Sequence, residues 1–186
     1  MKDSCQELLL TSLTNYYKDN LENTHILKSI IDGKHILSLR LIDWLVTHYS
    51  KANNIFYWID KNSDEIYETY PLHIDDSKHV RKINLYLDYR AQLKSFAKIN
   101  FDSFRRHNRI SFLLDLNSDN YIETTLGQLN FFRWAFNNNV LQYAEKHYDK
   151  IYKHMIENNS YKKQKKIKHH NSIQDITKTM CTLRFD

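Results

Sequence analysis

The sequence predicts an α+β domain with a mainly antiparallel sheet of two hairpins plus one strand, packed by three to four helices. Aromatic residues make up 13% of the 186 residues and charged residues 26%, a composition typical of folded chains. Apolar residues recur at helical spacing toward both ends of the chain and alternate with polar residues in the middle. Two glycines and one proline exclude collagen-like and proline-rich chains, and leave Asn or Asp for positions that need positive φ.

Two helices are predicted in the first 53 residues. The first follows a capping box from Ser4 to Glu7 and runs to about Asn20. Its apolar face consists of Leu9, Leu13, Tyr16 and Tyr17. The second begins at Ser38 as the N-cap and ends near Asn53. Its inward residues are Leu41, Trp44, Leu45 and His48, with Arg40 and Asp43 outside.

The middle of the chain is predicted to be mostly strand, because apolar and aromatic residues there follow a period of two. The strands are expected over residues 55–60, 65–70, 82–89, 109–116 and 121–124. Residues 61–64 and 117–120 are the turns of two hairpins, and 72–81 is a polar loop. A helix over 90–99 directs Leu93, Phe96 and Ala97 inward.

One long C-terminal helix is predicted over residues 126–158, opened by a capping box from Thr125 to Gln128. An apolar seam runs along it through Trp134, Leu141, Tyr148 and Met155, with Ala144 and Ile151 between them. The seam either docks on the sheet, which we favour, or mediates self-association. These elements predict a single domain over 1–159, followed by a basic tail over 160–186.

The positive charge is concentrated near the C-terminus. The net charge is +5, residues 146–170 carry +6, and the remainder of the chain therefore carries −1. The candidate nucleic-acid-binding residues of the tail are Lys162, Lys163, Lys165, Lys166 and Lys168. Such a tract binds polyanions by counterion release, acts as a nuclear-localisation-like address, or only solubilises the chain.

A second candidate nucleic-acid-binding group is formed by Arg105, Arg106 and Arg109, close to His107. Guanidinium groups suit phosphate, and the flanking Phe101 and Phe104 have faces that stack on bases. The alternative is structural. In that interpretation the two phenylalanines belong to the core and the arginines pair with acids at a sheet edge.

No residue pattern predicts catalysis, a cofactor or a metal site. Glycine-rich phosphate loops and the common hydrolase and zinc motifs are absent from the sequence. The metal-ligand types in the loop His73, Asp75, Asp76 and His79 are interpreted as a plain polar loop. Cys5 and Cys181 are expected to be free thiols in a reducing compartment. The acidic N-terminal residues and the lack of a long apolar run predict neither a signal peptide nor a membrane span.

Four stretches carry a resemblance to a viral family: residues 38–49 (SLRLIDWLVTHY), 89–94 (YRAQLK), 101–106 (FDSFRR) and 124–135 (TTLGQLNFFRWA). Together with the Phe-Asp ending after a basic tract, they resemble an uncharacterised family of nucleocytoplasmic large DNA viruses, mimivirus-like giant viruses above all. That family continues its Phe-Asp block with Pro-Phe-Cys-Arg, whereas this chain has Ser103-Phe104-Arg105 and lacks the thiol. The resemblance implies a viral origin and brings no activity, cofactor or catalytic residue.

The sequence therefore predicts a non-enzymatic accessory protein of a large DNA virus. Its expected partner is an anionic molecule, of which DNA or RNA is the favoured kind. The protein is expected to contact this partner through its basic C-terminal third. The alternative is a virion structural or protein–protein interaction module that docks on another viral protein. In either case the expected location is inside the infected host, in the cytoplasm or viral factory or packaged in the virion, with no membrane contact.

Overall fold

Helices and two small antiparallel sheets make up the part of the chain that the computed structural model describes, residues 2–72, 79–113 and 121–160. The helices are α1 (Lys2–Asp19), α2 (Leu21–Ile31), α3 (Leu39–Trp44), α4 (Ser50–Ala52), α5 (Leu85–Asn100), α6 (Leu126–Asn137), α7 (Val140–Lys146) and α8 (148–160). One hydrophobic core draws on both sheets. The α+β class is confirmed, and no helix of the described ranges has the length and hydropathy needed to cross a membrane.

The helix α1 begins earlier than the sequence predicts. It starts at Lys2, so Ser4 lies inside the helix and the predicted capping box is wrong. The predicted apolar face is confirmed, because Leu13 and Tyr17 are buried while Leu9 and Tyr16 pack against the core in part.

The helix α2 lies where the sequence predicts no element. Thr24, Leu27 and Ile30 are its buried residues, at a spacing of three. The Thr24 hydroxyl donates to the Tyr17 carbonyl at 2.8 Å. A buried threonine at the first of these inner positions weakens the apolar pattern, which explains why the sequence does not indicate this helix.

The predicted second helix is confirmed as α3 together with a π-helical segment (Leu45–Tyr49) and α4. Ser38 is the N-cap, and its Oγ accepts from the Leu41 N–H at 3.2 Å. Two of the predicted orientations are wrong. His48 is exposed and stacks on the Trp44 ring at a centroid distance of 4.2 Å, and Asp43 points inward toward Ser103.

The first sheet has the strand order β2-β1-β3, with β1 at Phe56–Asp60, β2 at Ile66–Tyr67 and β3 at Val80–Asn84, and both pairings are antiparallel. The predicted first hairpin is therefore confirmed. The strand predicted over 82–89 is wrong in its second half, because α5 begins at Leu85. Asn84 Oδ1 accepts from the Leu87 N–H at 3.1 Å, and Asp88 Oδ2 accepts from the Asn84 N–H at 2.9 Å. These two bonds cap the helix.

The second sheet is separate from the first and pairs β4 (Arg109–Leu113) with β5 (Tyr121–Thr125) in antiparallel register. The second hairpin is therefore confirmed, but the single sheet that the sequence predicts is two sheets. The predicted turn at 117–120 lies outside the described residues.

Left-handed backbone positions fall mostly on Asn and Asp, as the scarcity of glycine predicts. Within the described ranges, positive φ occurs at Gly33, Ala97, Asn54, Asp64, Asn108 and Asn139. Ala97 was predicted to face inward in a regular helix. It is instead exposed at a kink in α5, with φ 56° and ψ 159°, a region rarely occupied by any residue except glycine.

The long C-terminal helix predicted over 126–158 is wrong as a single element. It is interrupted after Asn137, where Asn139 adopts φ 52°, and again at His147, which lies between α7 and α8. The burial of the seam is nevertheless confirmed, since Tyr148 is half-buried and the other members are buried: Trp134, Leu141, Ala144, Ile151 and Met155.

Candidate nucleic-acid interface

Residues 101–108 join α5 to β4, and together with Arg109, the first residue of β4, they are called the arginine loop below. Ser103 Oγ donates to the Asp43 carboxylate at 2.9 Å, and the Phe104 N–H donates to Asp102 Oδ1 at 2.8 Å. The Ser103 carbonyl accepts from Gln128 Nε2 at 2.9 Å. The loop is therefore held from two sides by side chains of α3 and α6.

Gln128 connects the arginine loop to the start of α6. Its Oε1 accepts from the Thr124 hydroxyl at 3.2 Å, and its backbone N–H donates to Thr125 Oγ1 at 3.2 Å. Thr125 is thus the N-cap, as the capping box predicts. The side chain of Gln128 reaches the loop, whereas a capping box would turn it back to the N-cap.

Asp43, Ser103 and Gln128 are called the polar anchor below, and four aromatic rings pack beside it. Phe101 is fully buried, with ring centroids of Tyr89 at 5.9 Å, Phe131 at 5.5 Å and Trp134 at 5.7 Å. These are the distances at which tilted and edge-on aromatic pairs attract. The four stretches that resemble the viral family therefore meet at this anchor. They contribute Asp43, Tyr89, Phe101 to Ser103, and Gln128 to Trp134, respectively.

Gly127 permits the close approach of α6 to the end of α5. A Cβ at this position would lie 3.1 Å from the Ile99 carbonyl oxygen and 3.3 Å from the Asp102 nitrogen. Both neighbours are backbone atoms, and Asp102 N–H donates to the Gly127 carbonyl at 3.2 Å. A side chain here would separate α6 from the arginine loop.

Asp43 is the ionisable group at the centre of the anchor. Burial raises the pKa of its carboxyl above the ordinary value, the Ser103 hydrogen bond opposes that rise, and the nearby Asp102 adds to it. The pKa of Tyr89 is raised to about 12, first by burial and then by the carboxylates of Asp43 and Asp102. Ser103 is 2% exposed, so its hydroxyl is shielded from solvent, and its hydrogen bond to Asp43 holds the loop.

The three predicted arginines lie together on this loop. Arg105 is half-buried, while Arg106 and Arg109 are exposed. Across residues 2–72, 79–113 and 121–160, none of the three guanidinium groups makes an ion pair with a carboxylate. Phe101 is core, as the structural alternative predicts, and that alternative stays untested for the arginines, because Asp115 and Asp119 lie outside these ranges.

A cleft of about 380 Å³ opens beside the arginine loop, and it is called the loop cleft below. It is lined by Gln6, Glu7, Leu10, Ile99, Asn100, Arg105, His107, Asn108, Ile110, Thr125 and Leu126. Sequence reasoning missed it, because its walls come from α1, α5, the loop, β4 and α6. The pairing of Asp43 and Gln128 with Ser103 was missed for the same reason.

The other predicted site residues fall outside the described ranges. Lys162, Lys163, Lys165, Lys166 and Lys168 all do so, as do His73, Asp75 and Asp76 of the polar loop. Within the described ranges, no group of three His, Cys, Asp or Glu side chains has an arrangement that could hold a metal ion.

The fold and site together define a small α+β protein with an exposed arginine loop anchored on a buried polar cluster. The chain belongs to DUF7197, a family of unknown function whose profile matches residues 2–182. It is 30% identical over 177 residues to "Uncharacterized protein L507" of Acanthamoeba polyphaga mimivirus. That alignment covers 92% of this chain and 61% of the relative, so the chain spans less than two thirds of the relative's length. No solved structure matches the chain. The resemblance to a giant-virus family is confirmed.

Proposed function

We propose that this protein is a non-enzymatic accessory protein of a giant virus that binds nucleic acid through the arginine loop and the basic C-terminal tract. The observation that carries the proposal is the state of Arg105, Arg106 and Arg109, whose guanidinium groups make no ion pair with any carboxylate of the described residues. Guanidinium forks bind phosphate oxygens in pairs, and clustered ones follow a phosphate backbone.

The anchoring of the loop supports binding rather than mere solubility. Ser103 is held by Asp43 and Gln128, which restrains the backbone two residues before Arg105. A restrained backbone reduces the conformational entropy that is lost when a partner binds. Arg109 is fixed in addition by the pairing of β4 with β5, opposite Thr125.

The lysine tract is expected to add a nonspecific contribution to the affinity for nucleic acid. If Lys162, Lys163, Lys165, Lys166 and Lys168 each neutralise a phosphate, the log–log dependence of affinity on salt has a slope of about −4 to −5 from this tract alone. Sequence preference is expected to be negligible, because lysine is a flexible point charge with no paired donor and acceptor for base edges.

The test is a titration of the full chain with a short duplex DNA at several salt concentrations, read by fluorescence anisotropy. Arg105→Gln with Arg106→Gln is expected to reduce the magnitude of the slope by about 2, from roughly 0.9 per phosphate contact. The matched control is Lys18→Gln with Lys34→Gln, which removes two exposed positive charges elsewhere and leaves the slope unchanged. An unchanged slope in the arginine variant removes the loop from the mechanism. Absence of binding by the full chain at low salt overturns the proposal.

A second candidate, a protein-interaction module, is favoured by one row of side chains on α8. Tyr152 is 45% exposed and Ile156 48% exposed, and the Tyr152 ring stacks on Tyr148 at a centroid distance of 5.7 Å. Spacing of four places the three side chains on one helical face. If the full chain binds no duplex, this candidate predicts that Tyr152→Ser with Ile156→Ser abolishes capture of a defined viral partner and leaves thermal stability unchanged.

A further inference from the structure

The loop cleft combines a cationic edge with an apolar wall. The arginine loop contributes Arg105, His107 and Asn108 to its lining. The apolar lining comes from Leu10 of α1, Ile99 of α5, Ile110 of β4 and Leu126 of α6. Leu10 is 37% exposed and Ile99 42% exposed, so two large apolar side chains are accessible at this cleft.

From this combination we propose that the loop cleft binds one unpaired nucleotide, with its phosphate on Arg105 and His107 and its base against the apolar wall. The inference rests on the proposed function and adds the substrate class, nucleic acid with an unpaired nucleotide. A nucleoside monophosphate joins a flat base, whose faces pack against apolar groups, to a dianionic group, and this pairing of properties matches the lining. The volume of about 380 Å³ falls within the usual range for small-ligand sites, roughly 300–1,000 Å³.

The walls of the cleft are fixed by contacts on both sides. Gln6 Nε2 donates to Asn100 Oδ1 at 3.4 Å, which joins α1 to the end of α5. The Asn100 carbonyl in turn accepts from Asn130 Nδ2 of α6 at 2.9 Å. The kink at Ala97 redirects the last residues of α5, from which Ile99 and Asn100 line the cleft. The cleft therefore has a defined shape before a ligand enters.

Electrostatics make the apolar wall decisive for binding. Of the described residues that line the cleft, Glu7 is the one carboxylate, and it offsets the charge of Arg105. A lining that is nearly neutral overall attracts inorganic phosphate weakly, so the base must contribute much of the affinity. Thymidine monophosphate is accordingly expected to bind at least about tenfold more tightly than inorganic phosphate, a difference that the burial of one flat ring supplies.

The experiment compares two substitutions on the same helix in the full chain. Leu10→Glu places a carboxylate in the cleft, and Leu8→Glu makes the same change at a residue that is 71% exposed and does not line it. Both variants are titrated with thymidine monophosphate, a 5′-phosphorylated single-stranded oligothymidine and a blunt duplex. Leu10→Glu is expected to weaken the first two ligands by at least about tenfold, because a like charge in a partly enclosed site repels phosphate strongly. Leu8→Glu is expected to leave them unchanged.

A third variant tests whether removing a negative charge from the cleft increases the affinity for the nucleotide. Glu7→Gln removes the opposing carboxylate from an exposed position and is expected to tighten binding of thymidine monophosphate by several-fold. Equal loss of binding in Leu8→Glu and Leu10→Glu overturns the inference, as does thymidine monophosphate that binds no better than inorganic phosphate. Oligothymidine that binds while the mononucleotide does not also overturns it, since the contacts would then be to the strand backbone. If one of these results is found and the unsubstituted chain still binds the duplex, only the cleft inference fails and the proposed function stands. If the unsubstituted chain does not bind the duplex, the proposed function and the cleft inference both fail.

Discussion

Replacement of Gln128 by alanine is expected to release the arginine loop without removing any of its arginines. Gln128 is 9% exposed, and its side chain makes two hydrogen bonds, both with buried partners. One reaches the Ser103 carbonyl at 2.9 Å and the other comes from the Thr124 hydroxyl at 3.2 Å. The substitution deletes both bonds and leaves their partners in place.

The magnitude follows from the burial of those partners. Ser103 is 2% exposed and Thr124 is 1% exposed, so water cannot readily take the place of the lost amide. A buried polar group left without a partner costs about 1–3 kcal/mol. Two such groups give an expected loss of about 3 kcal/mol in the free energy of unfolding, which is a large share of the stability of a domain of this size.

Urea denaturation at pH 7 measures that loss, and hydrogen exchange of the amides of residues 103–109 locates it. Gln142→Ala is the matched control, because Gln142 is exposed and its one side-chain bond, to Asn139, has a partner that also bonds Asp64. We expect the control to change stability by less than about 0.5 kcal/mol. A loss below about 1 kcal/mol in Gln128→Ala, with unchanged exchange in the loop, would show that the anchor does not restrain the arginines.

Two further predictions concern the groups beneath and beside the loop. Trp134→Ala is expected to cost about 3–5 kcal/mol by urea denaturation, as buried aromatic residues do, whereas Tyr152→Ala on the exposed face of α8 costs less than about 1 kcal/mol. Equal losses would mean that Trp134 is not a core residue. Burial raises the pKa of Asp43, so the native state holds this proton more tightly than the unfolded chain, and the contribution of Asp43 to stability falls as the pH rises from about 4 through the raised pKa. Asp43→Asn removes this fall, and its stability relative to the unsubstituted chain should increase between pH 4 and pH 7; parallel stability curves would contradict it.

Local hydrogen bonding explains which helix boundaries could be predicted. Ser38 and Thr125 cap their helices through bonds to residues three positions ahead, so a short stretch of sequence contains the whole signal. The same kind of signal is present at Asn84 and Asp88, although the alternating apolar residues there favour a strand. In that stretch the side-chain caps decide the structure and the alternation is incidental.

The interruption of the predicted C-terminal helix shows why burial is easier to predict than continuity. Trp134 and Leu141 are both buried although the helix is interrupted between them. The left-handed residue Asn139 changes the direction of α7 without turning its apolar face away from the core. A spacing of seven thus indicates which residues are buried and not whether one helix carries them. The run Asn137 to Asn139 was the available signal for the break, since Asn adopts positive φ more readily than other residues with side chains.

The candidate interface could be predicted in its residue types but not in its geometry. Three arginines within five residues indicate an anion site, and this pattern can be read directly from the sequence. Whether such arginines are free depends on acids far away in sequence, and whether they are held depends on Asp43 and Gln128, which lie 60 and 25 residues from Ser103. A serine beside an aspartate also matches the residue types of a catalytic pair, but Ser103 is only 2% exposed, which favours a structural contact. The hydrogen bond from Ser103 to Asp43 also restrains the backbone two residues before Arg105, and this restraint is the physical basis for proposing recognition at this loop.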